Sequence, residues 1–308
     1  MTNTLTTGNL PNLIIIGAMK SGTTSLHYYL NLHPDICMCR SKELDFFNKD
    51  ENWHKGIEWY KSHFTEEAKI YGESSPNYTA FPKWTNTPQR MFSTIPETKL
   101  IYILREPIER IISHYVHRYA VGKENLKIED ALSDFDSNRY VARSKYYFQL
   151  SKYLEFFPAS NLLVITSKEL SASPQQVMNR IFQFLEVDTD FEFQFDVTKN
   201  AAEVLRFGSS ITNSNFQYDT KLHDSARKRR MTISADSKTA KTLSKITKLL
   251  PIEIRDHVKK ALYFPFSEKI KRPQISDDLR NRLLDYLAED IEKLKEFTGY
   301  SFEEWNLK

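Results

Sequence analysis

Four β-favouring apolar residues in a row, Leu13 to Ile16, break at Gly17 into a turn of small residues, and the pattern resumes at helical spacing from Thr24 to Leu32. An apolar run with no polar interruption suits a strand covered on both faces, as in a parallel sheet. The turn between strand and helix is Gly17-Ala18-Met19-Lys20-Ser21-Gly22-Thr23-Thr24-Ser25. Its glycines let backbone approach a ligand, Lys20 adds a positive charge, and Ser21, Thr23, Thr24 and Ser25 bring hydroxyls and N–H groups to a helix start, where the dipole favours anions. The stretch reads as an anion cradle. It is not a Walker A loop, in which lysine directly follows the second glycine: here Thr23 holds that place and Lys20 lies two residues before Gly22.

A second strand-and-helix unit carries the complementary chemistry. Lys99 to Leu104 reads as an apolar strand that stops at Arg105, and Ile108 to Tyr119 follows at helical spacing with Ser113 inside it. An arginine at the carboxyl end of a strand, with a hydroxyl on the next helix, suits a bidentate phosphate grip. A nucleotide hydrolase would place a magnesium-holding aspartate at this strand end, so the sequence predicts an anion held without a metal. The eight histidines are scattered and none has metal-ligand spacing.

The third informative stretch is Lys42-Glu43-Leu44-Asp45-Phe46-Phe47. If extended, it projects Glu43 and Asp45 from one face. A carboxylate beside two aromatics is also an ordinary surface glutamate before a buried pair, or a general base with a raised pKa in a partly desolvated site.

Around these stretches the chain alternates apolar strands with helical patterns, and no internal repeat interrupts it. A short extended piece is expected over Ile36 to Cys39, helices over Trp53 to Phe64, Pro82 to Thr94 and most of Lys127 to Phe157, a strand near Tyr71, and a further strand over Asn161 to Thr166. Helices are also expected over Ser173 to Leu185 and Asp277 to Phe297. The expected fold class is α/β: a single domain over 11–308, with a central parallel sheet flanked by helices on both faces, preceded by a flexible tail over 1–10. Residues 197–250 turn polar and basic and include Arg227-Lys228-Arg229-Arg230. With the loop that follows, to about 275, they are expected to form either a solvated surface or a mobile basic rim over cofactor and acceptor.

A net charge of +3 suits an anion in a local pocket better than a nucleic-acid surface, which needs many phosphate contacts. No apolar run is long enough to span a membrane, and the first residues carry no signal-peptide pattern, so a cytoplasmic protein without stable membrane insertion is expected. The two cysteines, Cys37 and Cys39, read as free thiols in a reducing compartment.

With both anion units in hand, the sequence resembles the sulfotransferases that use 3′-phosphoadenosine 5′-phosphosulfate (PAPS), and in particular bacterial members akin to heparan sulfate N- and 3-O-sulfotransferases. Gly17 to Leu26 is similar to the family's 5′-phosphosulfate loop, and Leu104-Arg105-Glu106-Pro107-Ile108-Glu109-Arg110-Ile111-Ile112-Ser113 to its 3′-phosphate motif. Leu32-His33-Pro34, Lys42 to Phe47, Gly56-Ile57-Glu58-Trp59-Tyr60 and Gly299 to Trp305 fit the same pattern.

The resemblance implies a P-loop-like sulfotransferase fold and transfer of a sulfuryl group from PAPS, with 3′-phosphoadenosine 5′-phosphate (PAP) as product and no metal. It implies Lys20 on the phosphosulfate, Glu43 as general base, and Arg105 and Ser113 on the 3′-phosphate. Tyr146, within Arg143-Ser144-Lys145-Tyr146, and the basic loop with Lys269, Lys271 and Arg272 would contact the cofactor; that loop lacks the family's glycine. Asp45, Phe46, Ser74 and Tyr78 are the candidate acceptor contacts.

Glycan sulfotransferases of this kind often carry lysine where this chain has Ser74, which shifts the expected acceptor toward a small, natural-product-like molecule, with a glycan or glycolipid as the alternative. A magnesium-dependent kinase and a non-catalytic nucleotide-binding protein are the readings from other classes. Oligomeric state has no signature in the sequence.

Overall fold

The computed structural model describes residues 8–192, 229–231, 242 and 267–305. Its centre is a five-stranded sheet: β1 (Leu13–Gly17), β2 (Ile36–Met38), β3 (Ile70–Ser74), β4 (Lys99–Leu104) and β5 (Leu162–Thr166), in the order β2-β3-β1-β4-β5. Every pairing is parallel. β1 lies in the middle, with Ile15 opposite Ser74 on one side and Ile101 on the other.

Alternation along the strands builds two cores. Ile14 and Ile16 of β1, with Leu100, Tyr102 and Leu104 of β4, pack against Phe46, Phe47, Tyr60, Tyr146, Tyr153 and Trp305. Leu13 and Ile15, with Ile101 and Ile103, face Leu26 and Leu30 of the helix Thr23–Leu30 and Val177, Met178, Ile181 and Phe182 of the helix Pro174–Leu185. Each enclosed aliphatic side chain contributes about 1.5–3 kcal/mol relative to exposure, which is why β1 tolerates no polar residue. A third core joins the helix Pro107–Ala120 to the C-terminal helix Asp277–Thr298, through Ile108, Ile111 and Ile112 against Leu283, Leu287 and Ile291. Asp290 on that last helix accepts the N–H groups of Tyr147 (3.0 Å) and Phe148 (2.8 Å), capping the helix Tyr146–Leu154 from outside it.

Several elements are shorter than the sequence predicts. Trp53 to Phe64 is broken into Asp50–Trp53 and Gly56–Lys61, because Gly56 adopts a φ of +82°. Helix begins only at Thr87 in the region from Pro82, and Lys127 to Phe157 divides into Ile128–Ala131, Arg139–Ala142 and Tyr146–Leu154.

Residues 8–10 are expected from the sequence to belong to the tail. Gly8 is buried and Asn9 N–H donates to Phe64 O at 2.9 Å, so residues 8–10 are tied to the body. Of the basic stretch 197–250, only Arg229–Met231 and residue 242 are among the described residues. Arg229–Met231 forms β6, paired antiparallel with β7 (Ser267–Lys269), which leads directly into Lys271 and Arg272.

Candidate active site

The order in which strands are added reverses about β1. From β1 the chain moves to one side of the sheet for β2 and β3, then crosses to the other side for β4 and β5. Loops leaving the carboxyl ends of β1 and β4 therefore open onto a shared crevice, where open α/β sheets bind ligands.

The first loop is fixed to its neighbour, since Ala18 N–H donates to Ile103 O at 2.7 Å. A Cβ on Gly17 would stand 2.1 Å from Thr79 Oγ1 and 3.0 Å from the Tyr102 ring, so only glycine fits there. Gly22 has a φ of +100° and begins the helix Thr23–Leu30 from the left-handed region that glycine favours. Lys20, between them, is held at a φ of +74°. Burial, and the charges of Arg105 and Lys42, hold its ammonium pKa below the usual value, against the opposite pull of Glu43. The charges of Arg105, Glu43 and Lys42 thus all act on Lys20.

Lys42 is a member of this group to which no sequence motif assigns a role. Its side chain is 2% exposed, with Nζ 3.2 Å from Glu43 Oε1 and 3.4 Å from Thr23 Oγ1. It links the Glu43 segment to the anion loop, and burial lowers its pKa while Glu43 pulls it back up. Glu43 itself is 26% exposed.

The segment is not extended. Glu43 and Asp45 have φ values of +63° and +50°, and they do not share a face as alternating strand residues. Phe46 and Phe47 are enclosed in the core, Phe46 stacked on Tyr60 at 4.2 Å, so the group beside Glu43 is Lys42.

Three of the four expected acceptor contacts lie inside the protein: Phe46, Ser74 and Tyr78 are 1%, 0% and 2% exposed. Asp45 is also buried. Its carboxylate pairs with Lys49 Nζ at 2.6 Å and accepts Asn77 Nδ2 at 3.2 Å, and burial raises its pKa against the Lys49 ion pair. These four residues shape the loop from behind. Arg143 completes the chain, donating to Asn77 Oδ1 at 3.1 Å with its other Nη against Met19 Sδ; burial and Arg110 lower its pKa to about 10.

At the β4 end, two guanidinium groups converge. Arg105 Nη2 lies 2.8 Å and Arg272 Nη2 2.7 Å from the same oxygen, Glu109 Oε2. They belong to opposite ends of the chain, and their meeting on one carboxylate oxygen marks a place suited to an anion. Ser113 is half-buried on the helix that follows Arg105. Lys271 is exposed beside Arg272. Lys269 lies in β7, and its side chain is outside the described residues.

Tyr146 is wholly buried, and its hydroxyl donates to Arg105 O at 2.7 Å. It touches the β4 end through that carbonyl. Arg110, fully buried and bonded to neutral acceptors, donates to Ser144 Oγ at 2.6 Å, to Tyr140 O, and to Met19 O at 3.5 Å. It stitches the anion loop to the Arg143 segment. Its signal in the sequence is an arginine on the apolar face set by Ile108, Ile111 and Ile112.

The residues fit a doubly anionic nucleotide. One end of the crevice offers Lys20, Lys42 and the helix start at Thr23; the other offers Arg105, Arg272 and Ser113. No group of three His, Cys, Asp or Glu side chains arranged to hold a metal occurs among the described residues.

An α/β protein with two such loops at the switch point of its sheet is of the ligand-binding α/β class. The sulfotransferase domain family matches residues 10–245, more than half of the chain, and the chain belongs to that family. Over 206 residues it is 32% identical to the human heparan sulfate glucosamine 3-O-sulfotransferase 5, covering 62% of this chain and 58% of that protein. Over 111 residues it is 47% identical to the membrane-associated sulfotransferase kil1 of Dictyostelium discoideum, covering 34% of this chain and 22% of that one. The chain thus spans less than two thirds of the length of these relatives. A sulfotransferase structure from Alicyclobacillus acidocaldarius superposes with a TM-score of 0.63 at 22% identity, covering 97% of this chain and 99% of that one, and so shares the fold.

Proposed function

We propose that the protein transfers a sulfuryl group from PAPS to a hydroxyl or amine of a small-molecule acceptor. The observation that carries this reading is that Lys20, in the loop after β1, is acted on by the charges of Arg105, Glu43 and Lys42, with Lys42 Nζ 3.2 Å from the partly exposed Glu43 carboxylate.

PAPS supplies an activated sulfur on a phosphate leaving group. Glu43 takes the proton of the acceptor as its oxygen or nitrogen bonds to sulfur. Lys20 and the N–H groups at the start of the helix Thr23–Leu30 balance the charge left on the departing 5′-phosphate, assisted by the Ser21, Thr24 and Ser25 hydroxyls. Arg105, Ser113 and Arg272 hold the 3′-phosphate, with Lys269 and Lys271 on the same rim. Proton removal, charge stabilisation and alignment complete the step, without any metal. Two free cysteines fit a reducing compartment, which supports a cytoplasmic setting. No helix among the described residues is long and apolar enough to cross a membrane.

A glycan acceptor is the second reading, and a specific observation favours it. The charges of Arg143, Arg139, Arg118 and Lys49 all act on Lys83, lowering its pKa after the effect of burial, so cations predominate around it. Mass spectrometry of a cell extract incubated with PAPS and the protein separates the two readings: a gain of one sulfuryl group on a small metabolite supports the first, and on an oligosaccharide the second.

A further inference from the structure

We infer that Glu73 is the positioning residue of the proposed base, acting on Glu43 through two hydroxyl groups; this inference rests on the function proposed above. Glu73 sits near the carboxyl end of β3, 0% exposed, with no cation paired to it among the described residues. Its carboxylate takes hydroxyl protons from Tyr60, Ser75 and Tyr78, with the two Tyr78 contacts at 2.9 and 3.0 Å.

Because those protons point inward, the hydroxyl oxygens of Ser75 and Tyr78 present lone pairs outward. Ser75 Oγ accepts Asp45 N–H at 3.0 Å, and Tyr78 Oη accepts Phe46 N–H at 3.1 Å and Phe47 N–H at 3.5 Å. The third hydroxyl belongs to Tyr60, whose ring stacks on Phe46. Glu43 N–H meanwhile donates to Ser74 O at 3.0 Å, on the residue after Glu73.

The segment held this way is one that does not hold itself. Glu43 and Asp45 both occupy the left-handed region, which is unfavourable for a side-chain-bearing residue and persists only where surroundings over-determine it. A single carboxylate, by setting the direction of two hydroxyls, secures three consecutive amides that begin two residues after the base. An amide in its place cannot do the same. Glutamine accepts on one atom and donates on the other, so at least one of the three hydroxyls must turn round and the set that orients the segment is broken.

The test compares the protein with its Glu73→Gln, Tyr78→Phe, Glu43→Gln and Glu73→Gln/Glu43→Gln variants. It uses label transfer from sulfur-35 PAPS into a small-molecule cell extract, calorimetric binding of PAP, and hydrogen exchange of the 45–47 amides. Glu73→Gln is expected to slow transfer by roughly 10–100-fold, the scale of a base displaced by about 1 Å, with PAP affinity retained and faster exchange at 45–47. Tyr78→Phe, which removes one oxygen from the relay, gives the same pattern in milder form and covers the case in which Glu73→Gln does not fold.

In the Glu43→Gln background, Glu73→Gln adds no further loss of transfer. A purely structural role would add its own loss there. Unchanged exchange at 45–47, or a full additional loss in the double variant, overturns the inference. Failure of the unaltered protein to bind PAP overturns the proposed function instead, and the exchange arm still reads whether Glu73 holds the segment.

Discussion

The Lys42 ammonium lies 3.2 Å from Glu43 Oε1, although the two side chains differ sharply in exposure, at 2% and 26%. The buried partner reaches the loop after β1 through Thr23 Oγ1 at 3.4 Å, and the other stays partly open to solvent. This arrangement separates two kinds of loss. Glu43→Gln should cut turnover by roughly 10²–10⁴-fold, the usual range for a positioned base, while PAP binding is retained. Lys42→Met should lower turnover and PAP affinity together, the latter by about 1.5–3 kcal/mol if the ammonium supports the bound anion. Steady-state kinetics with calorimetry on both variants checks this, and equal behaviour of the two would sink it.

Arg105 and Arg272 share Glu109 Oε2, and that carboxylate competes with any phosphate for the same donors. Arg105→Ala and Arg272→Ala should each weaken PAP binding. Glu109→Gln should strengthen it, by at most about 1 kcal/mol because the pairs are partly exposed. Weaker binding in Glu109→Gln would mean that the carboxylate instead orients the arginines.

Gly17→Ala puts a Cβ 2.1 Å from Thr79 Oγ1. Overpacking of this kind costs about 1–3 kcal/mol and should displace the loop that follows. The variant is expected to melt lower and to lose PAP binding. A variant with unaltered melting and PAP affinity would show that the close approach is not required.

Burial raises the Glu73 carboxyl from its ordinary 4.5 to about 7, and the Asp290 carboxyl from 3.8 to about 6. Between the ordinary and raised values the folded chain binds more protons than the unfolded chain. Stability from these groups is therefore complete below the ordinary values and declines as pH rises through the window, a tenfold difference in proton affinity corresponding to about 1.4 kcal/mol. Urea unfolding at about pH 5 and about pH 7.5 should show the decline, and Glu73→Gln should remove its share. The same slope in that variant would exclude Glu73 as its source.

The sheet and the two loops that leave β1 and β4 are legible in the sequence because they rest on local pattern. Leu13 to Ile16, Leu100 to Leu104 and Leu162 to Ile165 are apolar in every position, and each gives way to a glycine or a polar residue. The Glu43 segment is not legible in the same way. Alternation of Glu43 and Asp45 suggests an extended run, yet the left-handed φ at both is imposed by β3 and the turn after it, through Ser74 O, Ser75 Oγ and Tyr78 Oη. Those contacts join residues about thirty positions apart, which no local period reports. Burial of Lys42 escapes for a related reason, since an enclosed lysine and a solvated one look identical until the neighbouring elements close around them. Phe46, Ser74 and Tyr78 do belong near Glu43, but a residue near a site can support it from inside the core rather than line it.

The most direct measurement is thermal unfolding with PAP, compared with ATP plus magnesium, for the unaltered protein and Arg105→Ala. A ligand that binds only the folded state adds about 2.7 kcal/mol at one hundred times its Kd, which raises the melting temperature by several degrees. The expected result is a rise with PAP that needs no magnesium and is lost in Arg105→Ala. A rise with magnesium-ATP alone, or a PAP response that Arg105→Ala leaves intact, would contradict the assignment of the two loops to a 3′,5′-bisphosphate nucleotide.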